Sequence, residues 1–251
     1  MNTHRRRCLA LVVALAAVLS GCSVVRNAVG GGGTVAGYPD VDLGVEAVVY
    51  KGTDERDLHL HIFEPVESSS DATSAVLFFH GGGFANTRVE QFERQAQLLA
   101  DAGIVGIVVE YRVSAEGASR ADAIDDGRDA LAFVLARAQR LGIDPERVAM
   151  AGSSTGGALA TEASANSGAL VLFNPAVALE DVGFAGSAPA IAFHSREDTI
   201  VSFSTVEEFC NAAVDCELVA FDEGDHGFFN DEPAFTETSQ LMIDFLVDNG
   251  W

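Results

Sequence analysis

Lysine is almost missing from this chain. Lys51 is the only one among 251 residues, and 15 basic side chains face 37 acidic ones. A net charge of −22 repels nucleic acid and anionic polymers, so the charge excludes nucleic-acid partners and favours neutral ligands. Long apolar runs are lacking too: the longest, residues 9–19, is too short to cross a bilayer as a helix. Cysteine is scarce, with four in all. No Cys/His spacing fits a metal site, and nothing calls for a metal or an organic cofactor. Internal repeats are absent, and beyond the N-terminus no shift of composition marks a second domain. A chain of this length then reads as one domain with a substantial core.

At the N-terminus, His4, Arg5, Arg6 and Arg7 precede the apolar run, the pattern of a secretory signal. The run ends in Leu19-Ser20-Gly21-Cys22, which resembles the lipobox of bacterial lipoproteins. That resemblance implies cleavage before Cys22, diacylation of its thiol and an exported, membrane-anchored protein on the periplasmic or outer-membrane side. Ordinary cleavage nearby would leave Cys22 free. Ser23 after the cysteine points to onward transport to an outer membrane. The expected organisation is a signal peptide over 1–21, a tether over 22–40 containing Gly30-Gly31-Gly32-Gly33, and the folded domain over 41–251. Such a tether reaches about 20–25 Å. Loss of Arg5, Arg6 and Arg7 lowers the basic count from 15 to 12 and takes the net charge from −22 to −25. Cys8 leaves with the signal, so Cys210 and Cys216 remain in an exported chain. A small disulfide loop is expected, contributing about 2–3 kcal/mol, with two buried thiols as the alternative.

Short apolar runs alternate with longer amphipathic ones along the rest. Residues 45–50 and 58–63 have the period-two pattern of an antiparallel pair, with Gly52-Thr53-Asp54-Glu55 near the turn. His59 and His61 fall in the second strand and read as strand-face residues. Ala75-Val76-Leu77-Phe78-Phe79 is a buried strand, followed by a helix over 89–102, a strand over 104–109 and a helix over 121–141. Asp144-Pro145 turns the chain into the strand Val148-Ala149-Met150-Ala151. Leu170-Val171-Leu172-Phe173, Ala190-Ile191-Ala192-Phe193 and Leu218-Val219-Ala220-Phe221 are further strands, and 237–247 is the last helix. This alternation predicts an α/β fold: a mostly parallel sheet covered on both faces, with chemistry beyond the strands' carboxyl ends.

Chemistry-bearing residues fall at those ends. Ser154 lies in Gly152-Ser153-Ser154-Thr155-Gly156, a strand-to-helix turn that makes serine nucleophilic. His226, in Gly224-Asp225-His226-Gly227, is the candidate base, and Asp198, in Arg196-Glu197-Asp198-Thr199, the candidate acid that orients it. His80-Gly81-Gly82-Gly83-Phe84 follows the first buried strand, and the N–H groups of Gly82, Gly83 and Thr155 are candidate oxyanion donors. Phe84 and Phe228 are candidate pocket residues, with core packing open for Phe229. Glu197, Asp222 and Asp225 compete with Asp198, and His194 competes with His226 but lies within a strand. A phosphate-cradling glycine loop is disfavoured because no lysine follows Gly157.

These motifs, with Glu110-Tyr111-Arg112 and Gly142-Ile143-Asp144-Pro145-Glu146-Arg147-Val148, resemble α/β-hydrolases. Within that fold the chain resembles carboxylesterases bearing a His-Gly-Gly-Gly loop, the hormone-sensitive-lipase-like and bacterial acetylesterase or feruloyl-esterase-like group, over residues 45–251. The resemblance implies a serine carboxylesterase without a cofactor, with Tyr111 and Arg112 structural and His80 ordering its own loop. The chain departs from the group at Ser153, where an acid or glycine is usual, and at Thr155, where alanine is. Ser202 replaces a usual proline, and Ala115-Glu116-Gly117-Ala118 a proline-rich stretch. About sixteen residues separate Phe173 from Ala190 and about twenty-five separate Cys22 from the first strand, too few for a helical cap. An open site for short acyl groups, acetyl esters on carbohydrate among them, is therefore expected. The alternatives are a prolyl-oligopeptidase-type peptidase, for whose propeller there is no room, and a catalytically silent binding lipoprotein.

Overall fold

The computed structural model describes residues 41–66 and 72–251, so the signal sequence, Cys22 and the glycine-rich tether lie outside the described residues. Eight strands form one sheet: β1 (Glu46–Gly52), β2 (Asp57–Phe63), β3 (Thr73–Phe79), β4 (Val105–Val109), β5 (Ile143–Ser154), β6 (Ala169–Pro175), β7 (Ala190–Ser195) and β8 (Cys216–Phe221). Their order across the sheet is β1-β2-β4-β3-β5-β6-β7-β8. β2 runs antiparallel to β1 and β4, and every other neighbouring pair is parallel.

The continuous apolar runs are explained by burial on both faces. In β3, Leu77 and Phe79 enter one core while Val76 and Phe78 enter the other. Met150, Leu170, Leu172 and Ala192 follow the first pair, and Ala151, Val171, Phe173 and Phe193 the second. Successive side chains point to opposite faces, so a run with no polar member needs helices on both sides. On one face, α1 (Glu93–Asp101) and α6 (Ala234–Asp248) contribute Ala96, Leu99, Met242 and Leu246. On the other, α2 (Arg120–Arg137), α3 (Thr155–Ala163) and α5 (Phe203–Ala212) contribute Leu131, Leu159, Val206 and Phe209.

Several elements depart from the expected boundaries. The helix expected over 89–102 begins as a 3-10 turn, Val89–Phe92, before α1. The helix expected to reach residue 141 ends at Arg137 and closes through the 3-10 turn Ala138–Leu141. The Asp144-Pro145 turn sits inside β5, because the register with β3 jumps from Thr73↔Ile143 to Ala75↔Val148. Asp144 stabilises that turn, accepting from the Glu146 N–H at 3.0 Å and from Arg147 Nε at 2.9 Å. α5 adds to the expected elements, and Phe203, Val206, Phe209 and Cys210 carry its helical period. Only a 3-10 turn, Leu179–Asp181, and the short α4 (Val182–Ala185) stand between β6 and β7.

Polar ties fix the sheet's margins. Asp126 of α2 is fully buried and takes Arg112 after β4 and Lys51 Nζ of β1, the latter at 2.6 Å. Lys51 also meets Asp129 at 2.6 Å. Glu110 accepts from Arg56 at 2.5 Å and bonds His61 at 3.0 Å and His59 at 3.3 Å. The two strand histidines therefore face a carboxylate. Cys210 of α5 is joined to Cys216 of β8 by a disulfide, which closes the small loop expected between them.

Candidate active site

β5 ends at Ser154 and α3 starts at Thr155, so the nucleophile candidate occupies the corner itself. Ser154 has φ 50° and ψ −124°, a region that L residues rarely adopt. Holding it there costs about 1–3 kcal/mol and lifts the side chain out of the strand. Glycine is required on either side: a Cβ on Gly152 would lie 2.3 Å from Gly156 O, and one on Gly156 2.2 Å from Phe79 O. Ser153 is buried, and its hydroxyl donates to Gln91 Oε1 at 2.9 Å. Of the two serines, Ser154 alone is partly exposed.

The candidate base and acid meet directly. Asp198 follows β7 and His226 lies between β8 and α6, and His226 Nδ1 is 2.6 Å from Asp198 Oδ2. The other carboxylate oxygen accepts from the Ile200 and Val201 N–H groups at 2.8 and 3.0 Å. The competing acids are elsewhere: Asp222 is almost wholly exposed, Glu197 is exposed, and Asp225 caps the Gly227 N–H at 2.7 Å. His194 is fully buried, and that burial lowers its pKa, so it stays neutral and donates from Nε2 to Val201 O at 3.1 Å. It braces the turn that carries Asp198.

Asn174 brings the loops of β6, β7 and β8 together, a role the sequence reading missed. Its Nδ2 donates to His226 O at 2.9 Å and Asp225 O at 3.2 Å, and its Oδ1 accepts from the Ser195 N–H at 3.0 Å. The next residue, Pro175, is the registered partner of Ser154. A polar residue before proline at the end of a buried strand was the available signal, and the φ of 39° at Asn174 marks the same turn. Among the described residues no hydrogen bond runs from His226 to Ser154; such bonds commonly tighten only once substrate is bound.

The glycine loop after β3 lies against the serine corner. A Cβ on Gly81 would be 3.0 Å from Ser153 Oγ and 3.2 Å from Ser154 Cβ. The Gly81 N–H donates to Gln91 Oε1 at 2.7 Å and the Phe84 N–H to Thr155 Oγ1 at 3.4 Å. Among the described residues, the Gly82 and Gly83 N–H groups between them have no acceptor within the chain. The Thr155 N–H, first in its helix, has no intrahelical acceptor. Burial takes His80 down to about 4, so its ring is neutral; Nδ1–H donates to Gly81 O at 2.6 Å, and the ring stacks on Tyr111 at 4.4 Å. Tyr111 O–H donates to His80 O at 2.7 Å. Both residues order the loop, as the resemblance implied.

The two pocket candidates separate. Phe84 is half-buried at the loop's end, edge-on to Tyr111 and 5.7 Å from the Arg120 guanidinium. Phe228 is 6% exposed and packs on Phe221 and Phe229 within the core, so its assignment to a substrate pocket is corrected. Phe229 is core as well.

A family model described as the alpha/beta hydrolase fold matches residues 76–214. An ethyl acetate hydrolase of Pseudomonas putida is 32% identical over 129 residues, covering 51% of this chain and 40% of that protein. Arylacetamide deacetylase-like 2 of Homo sapiens is 32% identical over 126 residues, covering 47% and 31%. The chain thus spans less than half the length of these curated relatives. Thermogutta terrifontis esterase 2 with propionate bound has a TM-score of 0.76 at 30% identity, over 84% of this chain and 96% of that one. The same esterase phosphoramylated by tabun gives 0.76 at 31%, over 82% and 95%. With more than half of its residues inside the matching family model, the chain belongs to the alpha/beta hydrolase fold family.

Proposed function

We propose that this protein is a serine carboxylesterase that hydrolyses short-acyl, acetyl-like esters of neutral alcohols, carbohydrates included. Ser154 Oγ attacks the ester carbonyl while His226 Nε2 takes its proton, and Asp198 holds the ring so that Nε2 faces the serine. The Gly82, Gly83 and Thr155 N–H groups receive the developing oxyanion. Collapse breaks the carbon–alkoxy bond, His226 returns its proton to the leaving alcohol, and an acyl-Ser154 ester remains. Water, deprotonated by His226, then attacks that ester and releases the carboxylic acid. The observation that carries the reading is the 2.6 Å contact of His226 with a buried Asp198, taken together with the positive φ of Ser154 at its glycine-flanked corner.

The short-acyl preference is supported by the brief connection between β6 and β7, where Leu179 and Phe184 remain exposed. It is also supported by the propionate- and butyrate-bound forms of the Thermogutta terrifontis esterase. The acidic surface favours uncharged substrates. Attachment to a membrane through lipid on Cys22 belongs to the same proposal and rests on the lipobox resemblance. Four measurements test it. A fluorophosphonate probe labels the wild type and not Ser154→Ala; equal labelling of both sinks the assignment. Turnover falls from p-nitrophenyl acetate through butyrate to palmitate; faster palmitate hydrolysis refutes the acyl preference. Acetylated polysaccharide is deacetylated faster than its butyrylated counterpart. Palmitate incorporation disappears in Cys22→Ser, and its survival refutes the anchor.

A further inference from the structure

We infer that Gln91 is a positioning residue for this reaction: one oxygen on its side chain sets the oxyanion loop against the nucleophile's turn. The inference rests on the esterase reading above. Gln91 belongs to neither motif; it sits in the 3-10 turn Val89–Phe92, ten residues beyond Gly81. Its Oε1 accepts from the Gly81 N–H at 2.7 Å and from the Ser153 hydroxyl at 2.9 Å. The amide orientation is fixed chemically, because a backbone N–H can only donate and so must face the oxygen of the side-chain amide. The two donors leave the sheet from different strands, β3 and β5, and meet at the same acceptor.

The position of that acceptor matters more than its strength. Gly81 touches the serine turn without a side chain of its own, and Gly82 and Gly83 follow with φ of 136° and 67°. A three-glycine stretch has little stiffness of its own, so hydrogen bonds set its peptide planes: His80 Nδ1 holds Gly81 O at 2.6 Å, and the Ala85 and Asn86 N–H groups hold Gly82 O at 3.0 and 3.1 Å. Gln91 holds the first end and Thr155 Oγ1 holds the last, through the Phe84 N–H. With Gly81 and Phe84 N–H committed, the N–H groups between them are left for the substrate oxygen. Loss of the Gln91 tie frees Gly81 to turn its own N–H and leaves the His80 bond to Gly81 O to hold the next peptide alone. Misaligned donors weaken binding of charge that develops in the transition state more than binding of the neutral ester. The signature is therefore a fall in kcat with KM little changed.

The test uses Gln91→Met, which keeps length and volume but has no amide oxygen, with Gln91→Glu as the conservative variant whose carboxylate accepts both hydrogens. On p-nitrophenyl acetate, Gln91→Met lowers kcat by about tenfold with KM within about twofold, less than outright removal of an oxyanion donor. Affinity for a trifluoromethyl ketone, whose hemiketal places an oxyanion in the same cradle, falls by a similar factor, and Gln91→Glu restores most of both. Ser153→Ala, which removes one donor and leaves Gly81 tied, gives a smaller kcat loss and serves if Gln91→Met does not fold. A Gln91→Met enzyme with kcat and ketone affinity within twofold of wild type overturns the inference. So does parallel loss of kcat and KM that Gln91→Glu fails to rescue. Ser154→Ala in the same series separates the two levels: if it keeps activity the esterase reading falls, and if it is inert only the role of Gln91 is at stake.

Discussion

His226 Nδ1 sits 2.6 Å from Asp198 Oδ2, while the second oxygen of that carboxylate is held by the amides of Ile200 and Val201. The carboxylate therefore cannot rotate away from the imidazole without breaking two hydrogen bonds. Its orientation also dictates which ring nitrogen carries the hydrogen: Nδ1, leaving Nε2 free to accept.

That relationship predicts the behaviour of Asp198→Asn. The amide keeps the shape but presents either the wrong tautomer or no negative charge to the imidazolium. An expected kcat loss of about 10³–10⁴ is checked by steady-state kinetics on p-nitrophenyl acetate. A loss below tenfold would place the orienting acid elsewhere.

Backbone strain at Ser154 predicts an opposition between activity and stability. Glycine tolerates φ 50°, so Ser154→Gly relieves the strain while removing the nucleophile. The variant is expected to be inert and more stable by about 1 kcal/mol in urea unfolding. An inert variant that is less stable than wild type shows that the corner is not strained.

Glu110 predicts a pH effect on folding. Burial opposes its ionisation, yet His59, His61 and Arg56 outweigh that and hold the carboxyl at about 2, against an ordinary 4.5. A depressed carboxyl contributes stability above pH 4.5 that is lost as the pH falls toward 2. The bond to Glu110 raises His59, so the histidine's contribution is present below pH 6.5 and is lost as the pH rises through its raised value. Melting temperature against pH is expected to fall less steeply below pH 4.5 in Glu110→Gln than in the wild type. Identical slopes count against this cluster.

Burial of Phe228 predicts a mutation that acts on the core alone. Phe228→Ala is expected to cost about 3–5 kcal/mol of unfolding free energy and to leave the acetate-to-butyrate rate ratio unchanged. A changed ratio with little loss of stability returns Phe228 to the substrate site.

Much of the fold was legible because each interior strand is apolar at successive positions, as in Ala75 to Phe79 and Leu170 to Phe173. Burial on both faces leaves that mark in a single stretch. The corner at Ser154 was legible for the same local reason: two glycines stand where any Cβ would strike backbone. Gln91 was not, since it acts across loops far apart in sequence and nothing in its neighbours reports the partner; Asn174 left only the local mark of a polar residue before Pro175, which does not name the loops it joins. Phe228 shows the limit from the other side: proximity to His226 in sequence says nothing of side-chain direction, and the ring turned inward toward Phe221. The β5 strand absorbed Pro145 because its turn bulges out between two paired segments, which composition could not distinguish from a loop before the strand.

The placement of Lys51 has a practical consequence for handling the protein. Burial disfavours its charge, but bonds to Asp126 and Asp129 prevail and raise its pKa, so the ammonium form persists well into the alkaline range. Succinimidyl and aldehyde reagents need a free amine, and this fold offers them no other lysine. Conjugation or immobilisation through the many carboxyl groups spares Lys51, whereas a reagent that acylates it would break the ion pairs with Asp126 and Asp129 that tie β1 to α2.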